Sequence, residues 1–92
     1  MQKEKLKYMP YAQAHVEIDD NGNKFLVSYV TTVLCLTADG WLSVNGLYSA
    51  TTRRHIGAFM KEYTNYSYHT AKDCYWGDYA LNLETGEIFK GD

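Results

Sequence analysis

Two spacings of apolar residues divide the chain: every second position in some stretches, every third or fourth in others, the signatures of strand and helix. His15-Val16-Glu17-Ile18-Asp19 alternates and then meets Asp20-Asn21-Gly22-Asn23, whose Asn-Gly core predicts a hairpin turn. Phe25 through Leu36 follows as an unbroken run of β-branched, aromatic and aliphatic residues with apolar positions on both faces. It predicts one long central strand, bent by a bulge. Ala38-Asp39-Gly40 is a second turn, and Trp41-Leu42-Ser43-Val44-Asn45 a short strand with Leu42 and Val44 on one side. Short connections make these three strands antiparallel.

The period then lengthens. Ser49 is placed to cap a helix by accepting from the N–H of Thr51 or Thr52, and Ile56, Phe59, Met60 and Tyr63 fall on one stripe as its core face. Arg54, Gly57, Ala58 and Lys61 occupy the opposite face, with His55 and Glu62 on its flank. Thr64-Asn65-Tyr66 interrupts the pattern, Ser67 caps a second helix with Tyr68, Ala71 and Tyr75 on one face, and Gly77 ends it. Tyr79 through Leu83, the turn Glu84-Thr85-Gly86 and Glu87-Ile88-Phe89 complete the chain as strand, turn and strand. The order β-β-β-α-α-β-β predicts an α+β fold, one antiparallel β-sheet with two helices packed on one face. Residues 1–14, where lysines alternate with Leu6, Tyr8, Met9 and Tyr11 until Pro10 bars a helix, read as a loosely docked N-terminal arm on a single domain spanning 15–92.

At 92 residues the chain makes one domain that buries only about 60–65% of its unfolded surface. A net charge of -2 argues against the overall basicity of a nucleic-acid coat and against the acidity of a DNA mimic, so local patches must carry any electrostatic role. No apolar run reaches the roughly 18 residues of a membrane span, and Met1-Gln2-Lys3-Glu4-Lys5 leads into no signal-like apolar stretch. The expectation is a cytoplasmic protein with no membrane partner. Cys35 and Cys74 form no Cys-x-x-Cys pair and read as small buried hydrophobes. Nine tyrosines suit a binding surface or the rim of a small core.

The chemistry concentrates at the start of the first helix. Arg53 and Arg54 stand where exposed peptide N–H groups already carry partial positive charge and where carboxylates would be favoured. Residues that break a local rule in this way either pair with acids elsewhere or are held for an anionic partner. Tyr48, Ser49, Thr51, Arg53, Arg54 and His55, with Lys61 further along, are the candidate binding residues, and Asp19, Asp20 and Asp39 are the candidate internal partners. His69 and Asp73, four apart, predict a surface ion pair. His15, His55, His69, Cys35 and Cys74 match no zinc-ligand spacing, and no catalytic or cofactor motif occurs, so the expectation is a protein without enzyme activity, metal or cofactor.

Gly46-Leu47-Tyr48-Ser49-Ala50-Thr51-Thr52-Arg53-Arg54-His55-Ile56-Gly57-Ala58-Phe59-Met60-Lys61-Glu62-Tyr63 resembles the signature of a small uncharacterised domain family encoded by phages and prophages, with Tyr29 through Val33 and Asn82 through Glu87 resembling its flanks. The resemblance covers residues 25–89 and leaves the N-terminal segment outside. It implies a phage setting and little chemistry; that setting, the small size, the tyrosine excess and the lack of a catalytic constellation together point to a small interaction protein that binds and inhibits a host factor, the effectors of bacterial CRISPR-type immunity being the target class in view. The alternative is a nucleic-acid-binding accessory module that contacts phosphates through Arg53, Arg54 and Lys61. An exposed sheet edge makes a homodimer a further expectation.

Overall fold

Short connections join most strands to the next, so the sheet is a meander. The computed structural model describes residues 1–90. Its strands are β1 (Gln2–Lys5), β2 (Ala14–Ile18), β3 (Lys24–Ser28), β4 (Thr31–Leu36), β5 (Trp41–Val44), β6 (Ala80–Asn82) and β7 (Ile88–Phe89), with helices α1 (Ala50–Tyr63) and α2 (Tyr68–Gly77) inserted between β5 and β6. All seven strands form one antiparallel sheet in chain order, so the fold is α+β as expected. Gly91 and Asp92, the end of the predicted 15–92 domain, lie outside the described residues.

Two differences from the expected order have physical causes. The segment read as an arm supplies β1, which pairs along its length with β2, and Leu6 behind it is completely buried in the core. Lys7 N–H donates to Glu62 Oε1 at 2.7 Å and the Tyr63 hydroxyl donates to Glu4 Oε1 at 2.9 Å, tying the segment to α1. A polar edge strand needs no alternating apolar pattern, so its sequence resembles a solvated tail.

The run from Phe25 to Leu36 is two strands, not one. It reverses at Tyr29-Val30, a two-residue loop whose first residue has φ +57°, a conformation usually left to glycine. The expected bulge is present: Leu26 pairs with Leu34 and Val27 with Thr32, leaving Val33 without a partner in the ladder. Val33 and Leu34 are consequently both buried.

Val16, Leu26, Leu34, Leu36 and Leu42 share the sheet face covered by the helices, where Ile56, Phe59 and Met60 of α1 and Ala71 and Cys74 of α2 meet them. Ser49 caps α1 by accepting from Thr52 N–H, and Ser67 caps α2 by accepting from His69 N–H. Gly77 is the last residue of α2, and Asp78, with φ +54°, takes the left-handed position after it. The opposite sheet face carries Phe25, Val27, Cys35 and Trp41, all outside the core cluster.

The face of α1 read as solvated is partly covered, because α2 packs against it. Ala58 is buried, and a Cβ on Gly57 would lie 3.8 Å from Tyr68 Cβ, an ordinary contact. Gly57→Ala should therefore keep the packing and gain helix propensity, raising stability by about 0.5–1 kcal/mol in a urea titration. A loss of stability would show that the two helices need the glycine's space.

Candidate functional site

The first turns of α1 are anchored to the end of β3 by a buried polar cluster. Ser28 Oγ lies 2.9 Å from His55 Nδ1 and 3.3 Å from Thr52 Oγ1, and Ser49 Oγ donates to Thr52 Oγ1 at 3.3 Å. His55, expected among the outward-facing site residues, is only 1% exposed. Burial holds its imidazole below the ordinary histidine pKa. The reason is rotational: on α1, His55 follows Thr52 by three residues and precedes Phe59 by four, so it shares their inward stripe. Among the described residues no carboxylate pairs with His55, and its contact with Ser28 ties the helix to the sheet.

Outside this anchor the surface is both apolar and basic. Tyr29, 52% exposed, sets its ring 5.9 Å from that of His55, which brings the hairpin tip to the start of α1; Val30 beside it is 95% exposed. Tyr48, 67% exposed, lies across Gly46, where a Cβ would meet its ring. Arg53 and Arg54 are both exposed, and the acids proposed as their internal partners are engaged elsewhere or apart. The Asp19 carboxylate accepts from Asn21 and Asn23 in its own turn, which lowers its pKa, and Asp39 accepts from Thr37 Oγ1 at 2.6 Å. Among the described residues the one side-chain ion pair is His15 with Glu17, at 2.8 Å, and neither arginine belongs to one.

The helix begins at Ala50, so Arg53 is its fourth residue and already donates its N–H to the Ser49 carbonyl at 3.0 Å. Thr52 N–H is used by the Ser49 cap, so the free amides at this end are those of Ala50 and Thr51, one turn ahead of the guanidiniums. Thr51 is half-buried and Ser49 exposed at that edge.

Lys61 belongs to a different place. Two turns along α1, its ammonium sits 4.3 Å from the centre of the Tyr8 ring, with Lys7 5.4 Å from the same ring. The structure thus brings together Tyr48, Ser49, Thr51, Arg53 and Arg54, adds Tyr29 and Val30, and separates His55 and Lys61 from them. One sequence signal could have found the hairpin tip: the run from Phe25 to Leu36 is twelve residues, about twice the usual strand length. His69 and Asp73 form no ion pair; the His69 ring instead lies 5.9 Å from that of Tyr68.

No curated protein and no solved structure matches this chain. A family match begins at residue 3, taking in the edge strand that the phage-family resemblance left out, and ends within α2 at residue 74. It includes the Ser28, Thr52 and His55 anchor and both arginines. The chain belongs to this family, described as a family of unknown function (DUF8033).

Proposed function

We propose that the protein is a small interaction module that docks an acidic surface of another protein against the start of α1 and the β3–β4 hairpin tip. In the phage setting implied by the sequence resemblance, that partner is a host factor whose activity the module blocks, with CRISPR-type immunity effectors the first class to test. The observation that carries the reading is the pairing of two exposed arginines, neither bridged to an acid among the described residues, with exposed Tyr48, Tyr29 and Val30. Arginine and tyrosine at the centre of an apolar patch are the residue types that dominate binding energy at protein interfaces. Tyr29 adds a second argument. An L-residue at φ +57° bears a backbone cost of about 1 kcal/mol that glycine would avoid, and its half-exposed ring recovers little of it inside the fold.

The nucleic-acid alternative relies on Arg53, Arg54, Lys61 and the N-terminal lysines acting together. Lys61 at the Tyr8 ring leaves Arg53 and Arg54 without it, which favours a protein partner.

The test uses candidate host proteins and two variants. Arg53→Glu with Arg54→Glu should weaken binding by at least about 100-fold while the melting temperature stays nearly constant. Tyr29→Gly should weaken binding and hold or raise stability by up to about 1 kcal/mol. Unfolding of the arginine variant would assign both side chains to the scaffold. Retardation of naked DNA or RNA in a mobility shift, lost steeply with added salt, would replace the protein partner with nucleic acid.

A further inference from the structure

At the end of α1 away from the arginines, the start of β3, the β4–β5 turn, the α1–α2 turn and the β6–β7 turn enclose a cavity of about 310 Å³. That is the small end of the ~300–1,000 Å³ span of ligand cavities. Lys24 enters it from the sheet. The register pairs Lys24 with Ile18 and Leu36, which both touch the core, so the lysine stem starts from an inward position on the face that the helices cover. Its ammonium lies 5.5 Å from the centre of the Tyr63 ring and, among the described residues, pairs with no carboxylate.

Glu84 borders the same cavity from the β6–β7 turn. Its side chain lies across Gly40, where a Cβ would come within 3.1 Å of Glu84 Cγ, so the glycine leaves room for it. Glu84 takes part in no ion pair among the described residues either. A cation and a carboxylate thus line one small space without bridging each other. Tyr63 and Thr64, where α1 ends, line it too, and the carbonyl end of a helix carries partial negative charge. Leu36, Leu83 and the rings of Tyr63 and Tyr66 supply apolar wall. Hydrogen bonds fix that wall in place. The Thr64 hydroxyl donates to the Met60 carbonyl at 2.7 Å and accepts from Tyr66 N–H at 2.9 Å, and the Tyr66 hydroxyl donates to the Leu83 carbonyl at 3.1 Å, tying the α1–α2 turn to the β6–β7 turn.

We propose that this cavity binds a free α-amino acid with a large apolar or aromatic side chain, its carboxylate on Lys24 and its ammonium held by Glu84 and the carbonyl end of α1. A simple anion would satisfy the lysine but sit unshielded beside the Glu84 carboxylate and the helix end. A simple amine would leave Lys24 unpaired. A ligand that carries both charges a few ångströms apart meets both poles, and the rings and leucines take its side chain. The site lies about 15 Å along α1 from Arg53, so it is separate from the docking surface proposed above.

Titrating the isotope-labelled full chain with L-phenylalanine or L-leucine should shift the amide signals of Gly40, Thr64, Asn65 and Glu84, with a dissociation constant of about 10 µM to 1 mM. Hydrocinnamate, which lacks the ammonium, and phenethylamine, which lacks the carboxylate, should each bind at least about tenfold more weakly. Lys24→Met keeps a stem over Tyr63, and Glu84→Gln changes an exposed side chain; each should weaken L-phenylalanine at least about tenfold with little change in melting temperature. Arg53→Glu with Arg54→Glu should bind the amino acid as the wild type does, which keeps this result distinct from the docking test. No shift with either amino acid at roughly 10 mM overturns the proposal. Equal binding of hydrocinnamate or of inorganic phosphate overturns it too, by making the site one for simple anions. Should Lys24→Met fail to fold, Glu84→Gln decides alone, and full affinity in that variant overturns the assignment.

Discussion

Replacing Leu6 by alanine should destabilise the protein by about 3 kcal/mol and lower its melting temperature by roughly 12–24 °C. Leu6 is completely buried in the core, and truncating a buried leucine removes its transfer energy and leaves a cavity that close-packed neighbours fill only in part. If residues 1–14 were a loosely docked arm, the same substitution would change the melting temperature by no more than a degree or two. Thermal denaturation followed by far-ultraviolet circular dichroism separates the two outcomes. Because a domain of this size rarely has more than 5–15 kcal/mol in total, removing the whole N-terminal strand should unfold it.

Stability should also fall as pH drops from about 7 to 5.5, and His55 should be the cause. Burial lowers the imidazole's pKa in the folded chain below the 6.5 of a free histidine. In the unfolded chain the group takes up a proton at its ordinary value, so below pH 6.5 the unfolded state binds more protons than the folded one. Full stability is present above about 6.5, and it declines from there as the pH approaches the lowered folded-state value. The slope cannot exceed about 1.4 kcal/mol per pH unit for a single group. Urea midpoints measured across this range should show the decline in the wild type and lose it in His55→Phe, which keeps a ring of similar size. Ser28→Ala gives the companion result, a loss of about 1–3 kcal/mol at pH 7.5 from leaving His55 Nδ1 without its hydroxyl partner. A flat profile in the wild type would mean that His55 is solvated.

The parts of the fold legible in sequence were those whose pattern is repeated and whose ends carry a chemical stop. α1 is the clearest case, with Ser49 as cap and Ile56, Phe59, Met60 and Tyr63 on its buried stripe. The Asn21-Gly22 and Asp39-Gly40 turns are similar, since both glycines adopt positive φ. The hairpin at Tyr29-Val30 was signalled only by the length of the run that contains it, because nothing local asks for a turn there. Neither residue favours a turn, and the reversal is imposed by two flanking strands that each bury a face. β1 was missed for a related reason: its neighbour β2 supplies the hydrogen bonds, and the apolar contacts come from Leu6 and Met9 beyond its end.

The candidate site divides the same way. Arg53 and Arg54 stood out because they violate a local electrostatic preference, which a sequence displays directly. The direction of His55, the distance of Lys61 and the arrival of Tyr29 depend on how α1 lies across the sheet.

Local chemistry therefore determined the α+β class, the two capped helices, the glycine turns and the arginine doublet, because periodicity, capping and turn geometry are properties of neighbours in the chain. Only the tertiary structure decided the seven-strand sheet, the buried Ser28–His55 tether and which aromatic residues surround the arginines. The contacts that hold α1 to the sheet join residues far apart in the chain, such as Ser28 with Thr52 and Glu4 with Tyr63, and their energies exist only when the packed core brings the two ends together.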